Sequence, residues 1–263
     1  VRVTVREALA QAERRLTAAG VETPRVDAEW LVAHLVGTSR SGLAARLDDD
    51  VDGLEPLLVR REAREPLAYV VGEWGFRRLT LKTDARALVP RPETETLVDR
   101  VLAVAAAIEQ PRILDVGVGS GAIALAIKDE RPDARVTGVD VSPDALALAR
   151  ENAAALGLDV DLREGDGTAA AAEGWDVVVA NPPYVESIDD VQPELRWEPK
   201  VALLGRGEHE RLARAAKARF VVFEVGDGQA EEVAAMLERL GCAGVAVTSD
   251  LGGRARVVEG RLP

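Results

Sequence analysis

The chain has 263 residues, 47% of them apolar and 30% charged, enough for one large core or for a medium core beside a small one. A formal net charge of −12 excludes a broad basic surface for nucleic-acid backbones, which needs clustered Lys and Arg. One cysteine, Cys242, excludes an internal disulfide, and with only two histidines, His34 and His209, no metal site is expected.

No apolar run has the length of a membrane span and the first residues lack a secretory pattern, so a cytoplasmic protein without membrane contact is expected. Residues 1–74 read as a helical N-terminal domain. Val5 to Leu16 has apolar positions at helical spacing, with Gly20 as its stop. Thr23-Pro24 has the form of an N-cap followed by proline at the first helical position, and Gly37 ends that second helix. A third helix is predicted over Leu54 to Arg64, after which Pro66 interrupts it or starts a short one. Residues 75–95 form a linker hairpin or loop. Within it Phe76 to Lys82 alternates like a strand, and Val89-Pro90-Arg91-Pro92-Glu93-Thr94-Glu95 is stiffened by two prolines.

From Thr94, a helix to about Ala107 leads into strands alternating with helices, so 96–263 reads as an α/β domain with a doubly wound sheet. Strands are predicted at Ile113 to Val116, Val136 to Asp140, Val160 to Leu162, Asp176 to Ala180, Phe220 to Val225, Val245 to Thr248 and Arg256 to Glu259. The run Asp176-Val177-Val178-Val179-Ala180 is almost wholly apolar, which suits the middle of a parallel sheet.

Two stretches carry chemistry. Asp115-Val116-Gly117-Val118-Gly119-Ser120-Gly121 stands where a strand hands over to a helix, and its glycines permit a tight turn and close approach of a ligand. Its Gly-x-Gly-x-Gly spacing differs from the dinucleotide fingerprint. Asp140 ends the next strand, where a carboxylate can accept ribose hydroxyls, and Asp166 ends the third, where it can accept from an exocyclic amine. Three carboxylates at successive strand ends suit a cationic, adenosine-bearing ligand such as S-adenosylmethionine better than a pyrophosphate. Asn181-Pro182-Pro183-Tyr184 follows the fourth strand directly, at the edge that faces the ligand crevice of an open α/β sheet. The Asn181 amide oxygen and a turn carbonyl can hold a planar NH2 group, and Tyr184 can stack on it. That geometry alone accommodates an adenine or a glutamine side chain.

The order of motifs resembles the class I methyltransferases that modify amide or amine nitrogens. Pro66 to Gly72, Phe76, Val89 to Glu95, Asp115 to Ala124, Asn181 to Val185 and Arg196-Trp197-Glu198-Pro199 together resemble the HemK/PrmC family. The resemblance covers nearly the whole chain. It implies a class I, Rossmann-like S-adenosylmethionine-dependent methyltransferase sheet with a small helical N-terminal substrate-recognition domain. It further implies methyl transfer to the N5 amide nitrogen of the glutamine in the Gly-Gly-Gln motif of peptide chain release factors, the protein partners, with no direct nucleic-acid partner. Carried over by position, Asp115, Gly117, Val118, Gly119, Ser120, Gly121, Asp140, Asp166, Gly167 and Asn181 would bind the cofactor. Asn181, Pro182, Pro183 and Tyr184 would bind the glutamine amide and carry catalysis, with Phe76, Arg91 and Glu93 near the substrate. Two departures stand out: the family often has a bulky residue where Gly167 stands, and the stretch from Leu204 to Phe220 is shorter than usual. The alternatives are a glutamine methyltransferase of a ribosomal protein and an adenine-N6 nucleic-acid methyltransferase, the latter disfavoured by the acidic charge.

Overall fold

A computed structural model describes residues 2–183, 192–205 and 207–263. The chain divides into two compact units, one of residues 1–73 with 192–197 and one of 74–191 with 198–263.

The first unit opens with β1 (Val3–Thr4) and α1 (Val5–Ala18). The Thr4 hydroxyl accepts from Glu7 N–H while the Glu7 carboxylate accepts from Thr4 N–H, so two of the unpaired donors at the helix start are satisfied reciprocally. Val5, Ala8, Ala12 and Leu16 then bury one face of α1. In α2 (Pro24–Val36) the Thr23 hydroxyl is engaged with the Asp27 carboxylate rather than with a backbone N–H, and Gly37 at φ 65° ends the helix. A short β2 (Asp50–Val51) pairs antiparallel with β1, and α3 (Leu54–Glu62) and α4 (Leu67–Val71) complete the bundle. Leu16, Leu31, Val32 and Leu58 fill its core.

Residues 193–197 form a 3-10 turn that belongs to this unit. Glu194 is clasped by Arg61 at 2.8 Å and Arg64 at 2.7 Å, and Arg61 also binds the buried Asp27 at 2.7 Å. Burial pushes the Glu194 carboxyl up, but Arg64 and Arg61 outweigh it and hold it below the usual range. Breaking such a cluster from one side strands a buried charge, which costs more than the pair contributes when intact.

The second unit starts at Trp74, inside the hairpin of β3 (Glu73–Phe76) and β4 (Leu79–Lys82). The single strand predicted over Phe76 to Lys82 is therefore two strands. Arg77 leaves the strand at φ 51°, because its N–H donates to Glu95 and its guanidinium binds Glu130 and the Glu95 carbonyl. The alternation that suggested one strand comes from Phe76, Leu79 and Leu81, all of which reach the core.

The remaining elements are α5 (Thr94–Ala105), β5 (Arg112–Val116), α6 (Ala122–Glu130), β6 (Arg135–Asp140), α7 (Pro143–Leu156), β7 (Asp161–Glu164), α8 (Gly167–Ala171), β8 (Trp175–Ala180), α9 (Lys200–Leu203), α10 (Glu208–Ala215), β9 (Ala218–Glu224), α11 (Ala230–Arg239), β10 (Ala243–Ser249) and β11 (Ala255–Arg261). Among the described residues, seven strands form the main sheet in the order β10-β11-β9-β8-β5-β6-β7. From β7 to β9 the neighbours run parallel, and β11 and β10 are antiparallel. Helices cover both faces, over one core that includes Leu97, Ile113, Leu125 and Leu146 and another that includes Leu114, Val178, Phe223 and Leu237. This is a class I, Rossmann-like sheet. Val177 to Ala180 in β8 are fully buried, as expected of a central parallel strand. The chain order reverses between β5 and β8, and the carboxyl ends of those strands open a crevice.

Candidate active site

The crevice holds a cavity of about 450 Å³. Gly117, Val118, Gly119 and Ser120 after β5, Asp140 after β6, Asp166 and Gly167 after β7, and Asn181, Pro182 and Pro183 after β8 all line it. Four strand ends thus deliver to one space the segments that the sequence singled out.

The glycine loop is held by backbone bonds. Gly117 and Val118 N–H both donate to the Val139 carbonyl, at 2.8 and 3.1 Å, which ties the loop to the end of β6. Gly119 at φ 54° turns its N–H onto Asp140 Oδ2 at 2.9 Å, a conformation costly for a residue with a Cβ. Asp140 Oδ1 accepts from Ser142 N–H, also at 2.9 Å. Asp140 is therefore first a staple between two loops. Each of its oxygens keeps a further lone pair for a ligand hydroxyl.

Asp115 occupies a different place from its neighbours. It is fully buried beneath the loop and does not line the cavity. Its Oδ2 accepts from Ala124 N–H at 3.1 Å, capping α6 from below, and its Oδ1 has no partner. Burial, with the nearby Asp140 charge, pushes its carboxyl up to about 7. Gly121 likewise lies behind the wall, starting α6 at φ 89°.

Asp166 is exposed and caps α8, accepting from the backbone N–H and the hydroxyl of Thr168, which hold its carboxyl below the usual range. Gly167 has no room for a side chain: a Cβ there would lie 2.2 Å from Val116 Cγ1. The bulk expected at this position is supplied instead by Val116, with Leu212 of α10 close behind. Exposed Val141, Val201 and Leu204 add an apolar rim, and the stretch after Leu204, although short, still walls the cavity through Glu208, Arg211 and Leu212 of α10.

At the other end, Asn181 Nδ2 donates to Thr94 Oγ1 at 3.4 Å. Behind both lies Glu224 at the end of β9, 1% exposed. Burial pushes its carboxyl up to about 7, opposed by hydrogen bonding from Thr94, the charge of Arg256 and hydrogen bonding from Asn181. Its Oε2 has no partner. Of the residues expected near the substrate, Arg91 lines the cavity and Glu93 does not. Phe76 is a core residue at 1% exposure, packed with Leu79, Leu81 and Leu97. Tyr184 lies outside the described residues.

Four residues without an assigned role in the sequence prove to shape the site. Glu198 accepts from Val89 N–H at 3.2 Å and binds the Arg91 guanidinium, which explains why two motifs 109 residues apart occur together. Burial raises its carboxyl and Arg91 opposes the shift. A Cβ on Gly205 would come within 2.5 Å of the Pro183 carbonyl oxygen. Thr94 sits inside the quoted Pro90 to Glu95 motif, and Glu224 is a lone carboxylate closing the apolar run Phe220 to Phe223, which was the available signal for it.

The donor set fits a cationic adenosine ligand. Among the described residues, the guanidiniums that line the cavity are engaged, Arg86 with Asp84 and Glu151, Arg91 with Glu198 and Arg211 with Glu208, whereas Asp140 and Asp166 make no ion pair with a described residue, the Arg211 charge acting on Asp166 only from a distance. No three His, Cys, Asp or Glu side chains among the described residues converge as a metal site.

Sheet order and cleft define a member of the S-adenosylmethionine-dependent class I methyltransferases, and the comparisons agree. Residues 94–199 match the family described as methyltransferase small domain, and residues 7–72 the PrmC N-terminal domain. The chain is 40% identical to a release factor glutamine methyltransferase of Deinococcus radiodurans over 98% of both chains. It is 39% identical to one of Rhodospirillum rubrum, covering 94% of this chain and 82% of the relative. Among solved structures, the hMettl16 catalytic domain in complex with a MAT2A 3'UTR hairpin superposes with a TM-score of 0.54 over 68% of this chain and 74% of the other, at 12% identity, a likeness of fold alone. The chain belongs to the release factor glutamine methyltransferase family.

Proposed function

We propose that this protein transfers a methyl group from S-adenosylmethionine to the side-chain amide nitrogen of the Gly-Gly-Gln glutamine of a peptide chain release factor. The observation that carries this reading is the convergence on one cavity of a glycine loop, the carboxylates of Asp140 and Asp166 and the turn Asn181-Pro182-Pro183. Gly117 to Ser120 would lie along the cofactor, Asp140 would accept from its ribose hydroxyls and Asp166 from its exocyclic amine. Val116, Val141 and Leu212 offer the apolar surface for the adenine.

When bound, S-adenosylmethionine supplies an electrophilic methyl group. The chain supplies alignment. An amide nitrogen is a poor nucleophile because its lone pair is delocalised into the carbonyl. Asn181 Oδ1 and the Pro182 carbonyl would each accept one N–H of the substrate, which fixes the nitrogen and stabilises positive charge as it develops. The proton leaves after transfer, so no strong base is required at this position. A glutamate in place of glutamine would face Asn181 Oδ1 with a carboxylate oxygen, a mismatch a desolvated site rejects strongly. A release-factor substrate would put this activity in the cytoplasm; separately, no described helix is long and apolar enough to cross a membrane.

Incubation with labelled S-adenosylmethionine and a release factor tests the reading. Label is expected on the release factor and lost when its Gly-Gly-Gln glutamine is replaced. Equal labelling of that variant, or labelling only of a ribosomal protein or DNA, would refute it.

A further inference from the structure

A second cavity, of about 780 Å³, lies at the opposite ends of the strands that open the crevice. Arg112 begins β5, Trp175 begins β8 and Ala218 begins β9, so three neighbouring strands deliver their amino ends to it. It shares no lining residue with the crevice, and the methyl transfer proposed above uses none of it. Ala213, Ala216, Leu240 and Leu262 give it an apolar floor.

Its charges are not balanced. Asp176 is the single carboxylate side chain in the lining, and it is already engaged. It accepts from Arg112 N–H at 2.9 Å and faces the Arg219 guanidinium at 3.6 Å. Arg214 is held by Glu210 at 2.6 Å. Among the described residues, the side chains of Arg112 and Lys217 make no ion pair and no hydrogen bond. Arg112 is nonetheless held in place. Its guanidinium carbon stands 4.9 Å from the centre of the Trp175 ring, which is buried and donates its own N–H to the Ala170 carbonyl at 2.8 Å. Stacking occupies the face of a guanidinium and leaves its in-plane N–H donors for a ligand. Lys217 is fixed through its backbone, donating to the Ala171 carbonyl at 2.9 Å and accepting from Trp175 N–H at 2.8 Å.

We propose that this cavity is a second binding site, for a phosphate group. The planar fork of Arg112 matches phosphate oxygens two at a time, and the Lys217 ammonium adds a point charge beside it. Two unpaired cations suit a group that is close to a dianion at neutral pH. A concave site of this size takes a small molecule, whereas a nucleic-acid backbone needs a longer run of cations. The apolar floor suits the organic body of a phosphate ester, and free phosphate shares the same recognition chemistry.

The test is calorimetric titration of the full chain, saturated with S-adenosylhomocysteine so that the crevice is filled. The probes are adenosine 5′-monophosphate, inorganic phosphate and adenosine. The nucleotide should bind with a dissociation constant of about 0.1–1 mM, the scale of a few charge-assisted hydrogen bonds. Arg112→Ala should weaken it by on the order of 10-fold or more, and Arg112→Lys should recover little, because the fork is what is lost. Lys217→Ala should weaken it by about 3- to 10-fold. Arg78→Ala removes an exposed cation elsewhere and should leave it within about twofold. Thermal melts and methyl transfer close to wild type show that the variants fold, and Arg112→Lys and Lys217→Ala keep the test alive if Arg112→Ala does not. The variants locate the site whether or not S-adenosylhomocysteine occupies the crevice. Tighter binding of the nucleotide than of inorganic phosphate identifies an ester as the ligand, and equal binding identifies free phosphate. Three results overturn the proposal: no binding of either phosphate at about 10 mM, adenosine binding as tightly as its monophosphate, or affinity unchanged by the Arg112 and Lys217 substitutions. A single-stranded oligonucleotide bound through these residues about tenfold more tightly than the nucleotide overturns it too, in favour of a nucleic-acid surface.

Discussion

The two halves of the cleft are built in opposite ways. The half proposed to hold the cofactor is made by backbone: Gly117, Val118 and Gly119 bond to Val139 and Asp140, each loop within a few residues of the strand that delivers it. The half proposed to hold the substrate amide is made by side chains gathered from afar, with Asn181 on Thr94, both near Glu224, and Glu198 holding Val89 and Arg91. A backbone-built half tolerates changes of side chain and fails when conformational freedom is lost. A side-chain-built half fails when one partner is removed.

The largest effect expected from this contrast is at Asn181. Asn181→Ala should reduce methyl transfer by on the order of 10²- to 10³-fold, the cost of losing one charge-stabilising contact, with S-adenosylhomocysteine affinity by calorimetry nearly unchanged. Parallel loss of both would break the division into halves. Asp140→Ala should do the converse. It removes a staple from both loops and a ligand acceptor, so cofactor affinity should weaken by roughly 10- to 100-fold, the worth of a hydrogen bond to a charged group. A far larger change in kcat than in cofactor affinity would show that Asp140 belongs to the chemistry instead.

Gly167→Ala should cost about 1–3 kcal/mol in denaturant unfolding, as overpacking does, because the new methyl meets Val116. The smallest expected effect is a change of slope. Asp115 is pushed up to about 7 by burial, so the folded state keeps its proton where the unfolded chain has lost it. Its contribution to stability therefore falls as pH rises from about 4 toward 7. Asp115→Asn keeps an acceptor for Ala124 N–H and should flatten that slope by at most about 1.4 kcal/mol per pH unit in melts across the range. Identical slopes for the two proteins would mean that Asp115 does not hold its proton in the fold.

The same division explains what was legible before the structure. The sheet, its helices and the glycine loop were readable because each depends on local patterns: apolar runs for β8 and β9, and turn glycines at 117, 119 and 121. Asn181-Pro182-Pro183 was readable because a rare tetrapeptide follows a strand. The Phe76 to Lys82 hairpin was misread because Arg77 obeys tertiary bonds to Glu95 and Glu130 that no local pattern encodes. Phe76 was drawn toward the substrate by its position in a motif, although that motif position serves the core. Glu224 and Glu198 carried no role because a carboxylate's partner lies across the fold, and sequence distance hides it.

Gly205 extends the point to a residue with no side chain to reach the site. The smallest addition to it, one methyl, would press on the Pro183 carbonyl of the Asn181 to Pro183 turn. At many exposed positions a gene can change the residue at little cost. Here even a methyl meets backbone, so the shape of that turn is written partly in a place where nothing is added.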